Sequence, residues 1–397
     1  MIVNYEASKS VRSSKLPPIP EARLWLDEYN GNSSYNLSQG VPIDPPPLLL
    51  QQELGKQSVI TTNYQYGAIS GQPAFKEAFK DDLNRHYNAS LSTDNILITP
   101  GANAAFYTTI LALTQINDTS NIVLQSPFYF NHEMTLSQLS IDVRLLDCRA
   151  DKAFVPNPKD LEAVIDTNTR AVVLVTPNNP TGVSIPSNVL EECMKICADK
   201  HIPLILDETY RSFSEFDRPH NLHTLGLNNL IQLFSFSKDL AIPGLRLGGI
   251  IAHEDFIGQC MKVADCYQIS PSNISQSAIA PIYDQLNDFK LEQKLSLIEK
   301  HKTLKSLIDE LGGWSITSSG AYYAFVNYPY NLSSTDVAST LARQFGILTL
   351  PGAFFTTDNH SDANNHLRIS VANVTKETLL DTKQRWLDFD KYMKEDN

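Results

Sequence analysis

The stretch Leu230-Ile-Gln-Leu-Phe-Ser235 is a short, mostly apolar run, and Phe236-Ser-Lys238 follows it directly. Shortly afterwards the chain reads Gly244-Leu-Arg246-Leu-Gly248-Gly249. An apolar run without two-residue alternation is typical of a strand buried on both faces, as in a parallel sheet covered by helices. Open sheets of this kind bind ligands where their strands end. The stretch therefore predicts an α/β fold whose ligand site contains Lys238, hydroxyls, an arginine and glycines.

Four more apolar runs lie upstream, separated by helical patterns and bounded by Gly, Pro, Asn or Ser. They cover residues 95–99, 121–125, 171–176 and 203–207. We therefore expect a large domain with a mainly parallel sheet sandwiched by helices.

The rest of the chain is organised differently on either side of these runs. Residues 1–50 are irregular and proline-rich, and predict an arm that contributes to a small domain and to a substrate loop. Residues 51–290 form the large domain, which also holds any cofactor. Residues 291–397 mix a helical pattern with short strands and predict a small α+β domain.

Composition narrows the possible partners. The formal net charge of −12 repels nucleic acid backbones and anionic membranes, so neither is expected as a partner. No apolar run approaches the roughly 20 residues needed to cross a bilayer. Residues 1–15 lack the continuous apolar stretch of a secretory signal, which predicts a cytoplasmic protein. The five cysteines are scattered, so reduced structural thiols are expected and no metal site.

Three further motifs accompany the lysine segment: Asn178-Asn-Pro-Thr-Gly182, Asp207-Glu-Thr-Tyr210 and Leu367-Arg-Ile-Ser370. With Ser235-x-Ser-Lys238, they occur in the order and approximate separations of the fold-type I pyridoxal phosphate enzymes. Over residues 40–368 the chain resembles in particular the class I and II aminotransferases. The resemblance implies an aspartate aminotransferase-like large domain with a seven-stranded sheet. It also implies pyridoxal 5'-phosphate as cofactor, and transfer of the amino group of an α-amino acid to a 2-oxo acid.

The resemblance assigns three catalytic residues whose chemistry is coherent. Lys238 supplies the amine that forms a Schiff base with the cofactor aldehyde and then moves the proton at the substrate Cα. Asp207 keeps the pyridine nitrogen protonated, so that the ring withdraws electrons. Tyr210, together with Asn179, hydrogen-bonds the phenolic oxygen of the ring.

Other residues are implied to hold the cofactor and the substrate. The remaining cofactor contacts are the helix-leading turn Gly101, Ala102 and Asn103, the hydroxyls of Ser235 and Ser237, Arg246, the stacking ring of Tyr129, and Tyr66 of the partner subunit. A helix amino terminus is a ready site for a phosphate. The contribution of Tyr66 implies a homodimer with shared active sites. Arg368 would bind the substrate carboxylate, with Gly40 and Asn179 beside it.

The amino donor and the outcome of the reaction stay open at this point. Dicarboxylate-specific members use a second arginine near the position of Gln268, and no arginine lies between Arg246 and Arg343. A dedicated dicarboxylate donor is therefore not expected. One alternative is other pyridoxal phosphate chemistry on an amino acid, as in a lyase, cyclase, decarboxylase or O₂-dependent oxidase of a specialised biosynthetic pathway. A weaker alternative is a non-catalytic sensor domain that binds the cofactor.

Overall fold

The computed structural model describes residues 5–115, 119–216 and 218–395, so the first four residues of the predicted arm lie outside the described part. Its helices are α1 (Lys9–Ser13), α2 (Pro18–Asp27), α3 (Leu48–Ser58), α4 (Pro73–Tyr87), α5 (Ala102–Leu113), α6 (Phe130–Gln138), α7 (Pro158–Val164), α8 (Ser187–Asp199), α9 (Phe236–Asp239), α10 (Glu254–Tyr267), α11 (Asn273–Ile279), α12 (Asn287–Ile308), α13 (Ser334–Phe345), α14 (Lys376–Asp381) and α15 (Lys383–Glu395). Its strands are β1 (Tyr35–Asn36), β2 (Ile96–Thr99), β3 (Asn121–Ser126), β4 (Asp142–Asp147), β5 (Thr169–Val175), β6 (Leu204–Asp207), β7 (Leu230–Ser235), β8 (Gly248–Ile251), β9 (Ser315–Gly320), β10 (Tyr323–Asn327), β11 (Ile347–Leu348), β12 (Leu350–Pro351) and β13 (His366–Ser370).

Seven strands form the large sheet, in the order β2-β8-β7-β6-β5-β3-β4. Strand β8 runs antiparallel to both neighbours, whereas the other pairs are parallel. Successive side chains of the central strands point to opposite faces of the sheet. Ile122 and Val173 pack in one hydrophobic cluster, and Val123 and Val172 pack in another. The mainly parallel, doubly covered sheet expected from the apolar runs is thus confirmed.

A second, antiparallel sheet has the order β12-β13-β10-β9 and packs against α12 and α13. The amino-terminal arm lies on this part of the molecule, since β1 pairs with β11 and α2 contacts α13. A smaller α+β unit beside the large sheet is confirmed. The boundaries at residues 50 and 290 stay a prediction, and residue 290 falls inside α12. Across the described ranges, we find no helix with the length and apolar character needed to cross a membrane.

Candidate active site

A cavity of about 310 Å³ lies at the carboxyl ends of β5, β6 and β7, where the antiparallel sheet and the amino-terminal arm meet the large sheet. Most of the predicted site residues line it: Gly40, Ala102, Asn103, Tyr129, Asn179, Asp207, Tyr210, Ser235, Ser237, Lys238, Arg246 and Arg368. Gly101 directly precedes the lining residue Ala102. Tyr66 is apart from the cavity, with a side chain that is 78% exposed. Segments that are distant in sequence therefore meet at one place.

Lys238 lies on α9, the short helix that follows β7. The hydroxyl of Ser235 caps this helix by accepting from the backbone N–H of Ser237 at 3.3 Å. The Lys238 ammonium donates to the Gly40 carbonyl at 2.5 Å. Burial lowers the pKa of the Lys238 amine to about 8, and the positive charges of Arg246 and Arg368 act in the same direction. The amine is consequently much more often neutral, and nucleophilic, than an exposed lysine.

Asp207 is the last residue of β6 and its carboxylate is buried. One oxygen accepts from the backbone N–H of Thr209 at 2.9 Å, and the other lies 3.1 Å from Nε2 of His132. The His132 ring itself stacks on Phe106, with ring centroids 4.1 Å apart. The carboxylate is thus held in one orientation, with the histidine supporting it from the side.

Asn179 and Arg368 meet across the cavity. The Asn178-Asn-Pro-Thr-Gly182 turn closes with a hydrogen bond from the Gly182 N–H to the Asn178 carbonyl at 2.8 Å, which presents Asn179. Arg368, from β13, donates through Nη1 to Oδ1 of Asn179 at 2.9 Å and through Nη2 to the Ser38 carbonyl. Its Nε is buried and has no hydrogen-bond partner among the described residues. A buried guanidinium with a spare donor is suited to a carboxylate.

The turn before α5 forms the opposite end of the cavity. Gly101 has φ of +88°, and an added Cβ would lie 2.5 Å from Nη2 of Arg246. No side chain caps α5, so its first backbone N–H groups, beginning at Ala102, are available to a ligand. Arg246 is fixed beside them by donation to the Pro100 carbonyl at 3.1 Å. Free amide donors at a helix amino terminus, together with a cation, make an anion site.

Tyr323 is a cavity residue that sequence reasoning missed. It lies in β10, and its hydroxyl is 2.7 Å from the hydroxyl of Tyr210. Its ring lies under the guanidinium of Arg368, 4.5 Å from centroid to Cζ. The sequence predicts only short strands in this part of the chain, and nothing in that pattern marks the hydroxyl as part of a site.

Known proteins share this architecture. The family model described as "Aminotransferase class I and II" matches residues 34–382 of this chain. An aspartate aminotransferase from Sulfolobus acidocaldarius is 27% identical, over 79% of this chain and 80% of its own. Aromatic aminotransferase ISS1 from Arabidopsis thaliana is 26% identical over 92% of both chains. A solved mutant of Thermus thermophilus aspartate aminotransferase is 21% identical with a TM-score of 0.88, covering 97% of this chain and 100% of that one. The chain belongs to the class I and II aminotransferases.

This aminotransferase therefore uses pyridoxal phosphate to move an amino group from an amino acid to a 2-oxo acid. The residues of the cavity fit that cofactor. An aldehyde requires an amine, which Lys238 offers, and a phosphate requires the uncapped amino terminus of α5 and Arg246. A pyridinium nitrogen requires a buried carboxylate, and Asp207 is one. The unpaired Nε of Arg368 leaves a donor for a substrate carboxylate.

Proposed function

We propose that this aminotransferase holds pyridoxal phosphate through Lys238 in the cavity and takes its amino group from an α-amino acid with a neutral side chain. The observation that carries the proposal is the meeting of Lys238, Asp207 and Arg368 around a single cavity of about 310 Å³. They supply an amine, a buried carboxylate and a carboxylate receptor, which together suit an amino acid substrate better than any of them does alone.

The cavity residues divide the work of holding the cofactor. Asp207 would hold the pyridine nitrogen in its protonated form, while Asn179 and Tyr210 would hold the phenolic oxygen. The phosphate would accept hydrogen bonds from the backbone N–H groups that follow Gly101. The hydroxyls of Ser235 and Ser237 and the guanidinium of Arg246 would also contact it. Ala102 and Asn103 supply those N–H groups, and Tyr129 would stack on the ring. When bound, the cofactor supplies an aldehyde and an electron-withdrawing ring.

Lys238 has two tasks in this proposal. Its neutral amine would hold the cofactor, and the same Nζ would take the proton from the substrate Cα. A pKa of about 8 in the cofactor-free protein suits the first task, because part of the amine is then neutral at neutral pH. Its hydrogen bond to the Gly40 carbonyl keeps the amine on the substrate side of the cavity.

The proposal that the substrate has a neutral side chain follows from the roles of the positively charged residues in the cavity. Lys238, Arg246 and Arg368 are the lysine and arginine side chains that line the cavity in the described part of the chain. Each already has a role, with the cofactor, the phosphate or the α-carboxylate. The remaining lining toward the arm includes Ile19 and Val41, which favour an apolar side chain.

A homodimer with shared sites is also part of the proposal. Tyr66, Val59 and Tyr64 are 78%, 79% and 69% exposed, and the apolar residues Ile60 and Ile269 are exposed as well. Exposed apolar surface of this kind is typical of an interface. A cytoplasmic location stays a prediction.

Mixing two inactive variants tests the shared sites. A mixture of Lys238→Ala and Tyr66→Ala chains, unfolded and refolded together, should regain activity, because one site of each mixed dimer has both residues intact. If Tyr66→Ala is fully active by itself, or the mixture gains nothing, the shared site is refuted.

Visible absorption tests the cofactor and the donor. Purified protein with cofactor should show an absorption band in the visible range, and Lys238→Ala should lack this band. The control is Lys300→Ala, which removes a buried lysine outside the cavity and should keep the band. Neutral amino acids should then bleach the band and a 2-oxo acid should restore it. If no band forms, the assignment of the cofactor site is wrong; if only aspartate or glutamate bleaches it, the neutral donor is wrong.

A further inference from the structure

Tyr323 lies at the centre of a group of contacts that the proposed cofactor roles do not use. Its side chain is buried, and its hydroxyl is 2.7 Å from that of Tyr210. The hydroxyl also lies directly against Gly40, where an added Cβ would be 1.8 Å from Oη of Tyr323. The carbonyl of Gly40 holds Lys238, and the ring of Tyr323 lies beneath Arg368. Tyr323 therefore touches the elements that hold the amine, the phenolic oxygen and the carboxylate.

The two tyrosines keep their protons under working conditions. Burial raises the pKa of Tyr210 well above its ordinary value, and burial is also the main cause of the raised pKa of Tyr323. Each hydroxyl therefore has one proton to donate and lone pairs with which to accept. One of the two hydroxyls donates and the other accepts. In the cofactor-free protein their hydrogen bond raises the pKa of Tyr210 and lowers that of Tyr323, which corresponds to Tyr210 as the donor. A Tyr210 that donates to a cofactor oxygen has no second proton to give, so the bound cofactor would make Tyr323 the donor.

We propose that Tyr323 is a positioning residue that donates its proton to the Tyr210 oxygen and so directs the Tyr210 proton toward the phenolic oxygen of the cofactor. The inference rests on the proposed function, in which Tyr210 holds that oxygen. A hydroxyl that accepts a hydrogen bond becomes a stronger donor, because the two bonds polarise each other. The Tyr323–Tyr210 pair then stabilises the phenolic oxygen as an anion more than Tyr210 alone does, and lowers the pKa of the lysine–cofactor linkage.

The test is the pH titration of the visible absorption band of the cofactor-loaded enzyme. Tyr323→Phe removes the hydroxyl while leaving the ring under Arg368. The pKa read from the band should rise by about 0.1 to 0.6 unit, because Tyr210 keeps its bond to the phenolic oxygen and loses only the polarisation by Tyr323, roughly 10–30% of that bond's strength. The matched control is Tyr328→Phe, which removes a buried hydroxyl next to the other end of β10, bonded to the Leu332 and Asn364 carbonyls. It should leave that pKa unchanged.

A double-mutant cycle separates positioning from a direct effect. Tyr210→Phe should raise the same pKa by more than Tyr323→Phe does, and adding Tyr323→Phe to Tyr210→Phe should change nothing further. A lowered pKa in Tyr323→Phe means that Tyr323 accepts the proton rather than donating it, and an unchanged pKa means that Tyr323 does not act on the cofactor; either result overturns the inference. Additive shifts in the double variant overturn it as well.

The outcomes distinguish this inference from the proposal it rests on. If the unmodified enzyme with cofactor shows no visible band, the proposed cofactor site fails and the inference fails with it. If the band forms, disappears in Lys238→Ala and titrates identically in Tyr323→Phe, the cofactor site stands and the role of Tyr323 alone is wrong.

Discussion

The Lys238 amine of the cofactor-free enzyme should lose its proton far more readily than an ordinary lysine. Its pKa is lowered from 10.5 to about 8 by burial, then by the charges of Arg246 and Arg368. At neutral pH about a tenth of the amine is then neutral, roughly 300 times the fraction in an ordinary lysine. Because only the neutral amine attacks an aldehyde, the lowered pKa would allow the proposed attachment of the cofactor near neutral pH.

Competitive acylation measures this pKa without any cofactor. The cofactor-free protein is treated briefly with an amine-acylating reagent over a series of pH values, and peptide mass spectrometry follows the acylation of Lys238. The exposed Lys159 provides an internal reference for the reactivity of the reagent. We expect Lys238 to reach half of its maximal reactivity near pH 8. A midpoint at the ordinary value of 10.5 would refute the conclusion that the cavity desolvates this amine.

Arginine variants separate the effect of charge from that of burial. Arg368→Met removes a cation that lowers the pKa of Lys238, so the midpoint should move to higher pH. Arg343→Met is the matched control, because Arg343 is exposed and pairs with Glu28 on the surface. It should leave the midpoint unchanged. A midpoint that falls in Arg368→Met would contradict the sign of the electrostatic interaction.

Three further variants test the site and its support. Gly101→Ala should raise the Kd for pyridoxal phosphate about tenfold or more, because φ is +88° there and the new Cβ would meet Arg246; an unchanged Kd in equilibrium titration would contradict this. Arg368→Lys should raise KM for the amino acid about 10- to 100-fold, since lysine cannot bind a carboxylate in the planar, two-bond manner of arginine; steady-state kinetics would show an unaltered KM if another group anchors the carboxylate. Asp82→Asn leaves Arg211 buried without its counter-ion and should lower the free energy of unfolding in urea by about 3–5 kcal/mol; a loss below about 1 kcal/mol would place the pair with exposed ones. Burial by itself raises the pKa of the Asp82 carboxyl, but Arg211 and other groups outweigh burial, so the net pKa lies below its ordinary value. The pair therefore stabilises the fold at pH values above the carboxyl pKa of the unfolded chain. This stabilisation is lost as the pH falls from there through the lower pKa of the folded protein.

The apolar runs predict five strands of the large sheet, because strands covered on both faces carry few polar residues. Two strands do not follow this pattern. Strand β4 is an edge strand in which Leu146 is the buried residue, and three of its six residues are charged. Strand β8 begins with Gly248 and Gly249, two glycines that the sequence predicts as part of the ligand site rather than of a strand. A Cβ on Gly248 would lie 2.6 Å from the carbonyl carbon of Gly101, so the glycine serves both the strand and the turn beside it.

The cavity lining is largely predictable because its residues follow strand ends in short motifs. Lys238, Asp207 and Asn179 each follow or end a buried strand, and parallel strands deliver such residues to the same edge. Tyr323 could not be found in this way. Its place depends on the register of β10 against β13, in which it pairs with Ser370. Register in a small antiparallel sheet depends on packing across the two strands, which motifs do not encode.

A buried polar layer lies behind the cavity, and its residues alternate along the chain with the site residues. Asp207 faces the cavity, whereas the next residue, Glu208, is directed into the protein. Glu208 accepts from the hydroxyl of Tyr87 at 2.8 Å and from Nε2 of Gln232 at 2.5 Å. Because the two carboxylates share one short stretch of backbone, fixing Glu208 also fixes the direction of Asp207. Burying the Glu208 carboxylate costs free energy unless each of its hydrogen-bond partners is in place. The network therefore disfavours other orientations of Glu208.

The same arrangement occurs again three residues along the chain, at Tyr210 and Arg211. Tyr210 faces the cavity, and Arg211, which follows it, is buried against Asp82, a residue of α4. Tyr283 adds a hydrogen bond to the same carboxylate at 3.3 Å. A catalytic group that must hold its orientation to within a fraction of an ångström requires such support from behind. In the motif Asp207-Glu-Thr-Tyr210, Asp207 and Tyr210 therefore face the cavity, while Glu208 and the residue after the motif, Arg211, hold the backbone from behind.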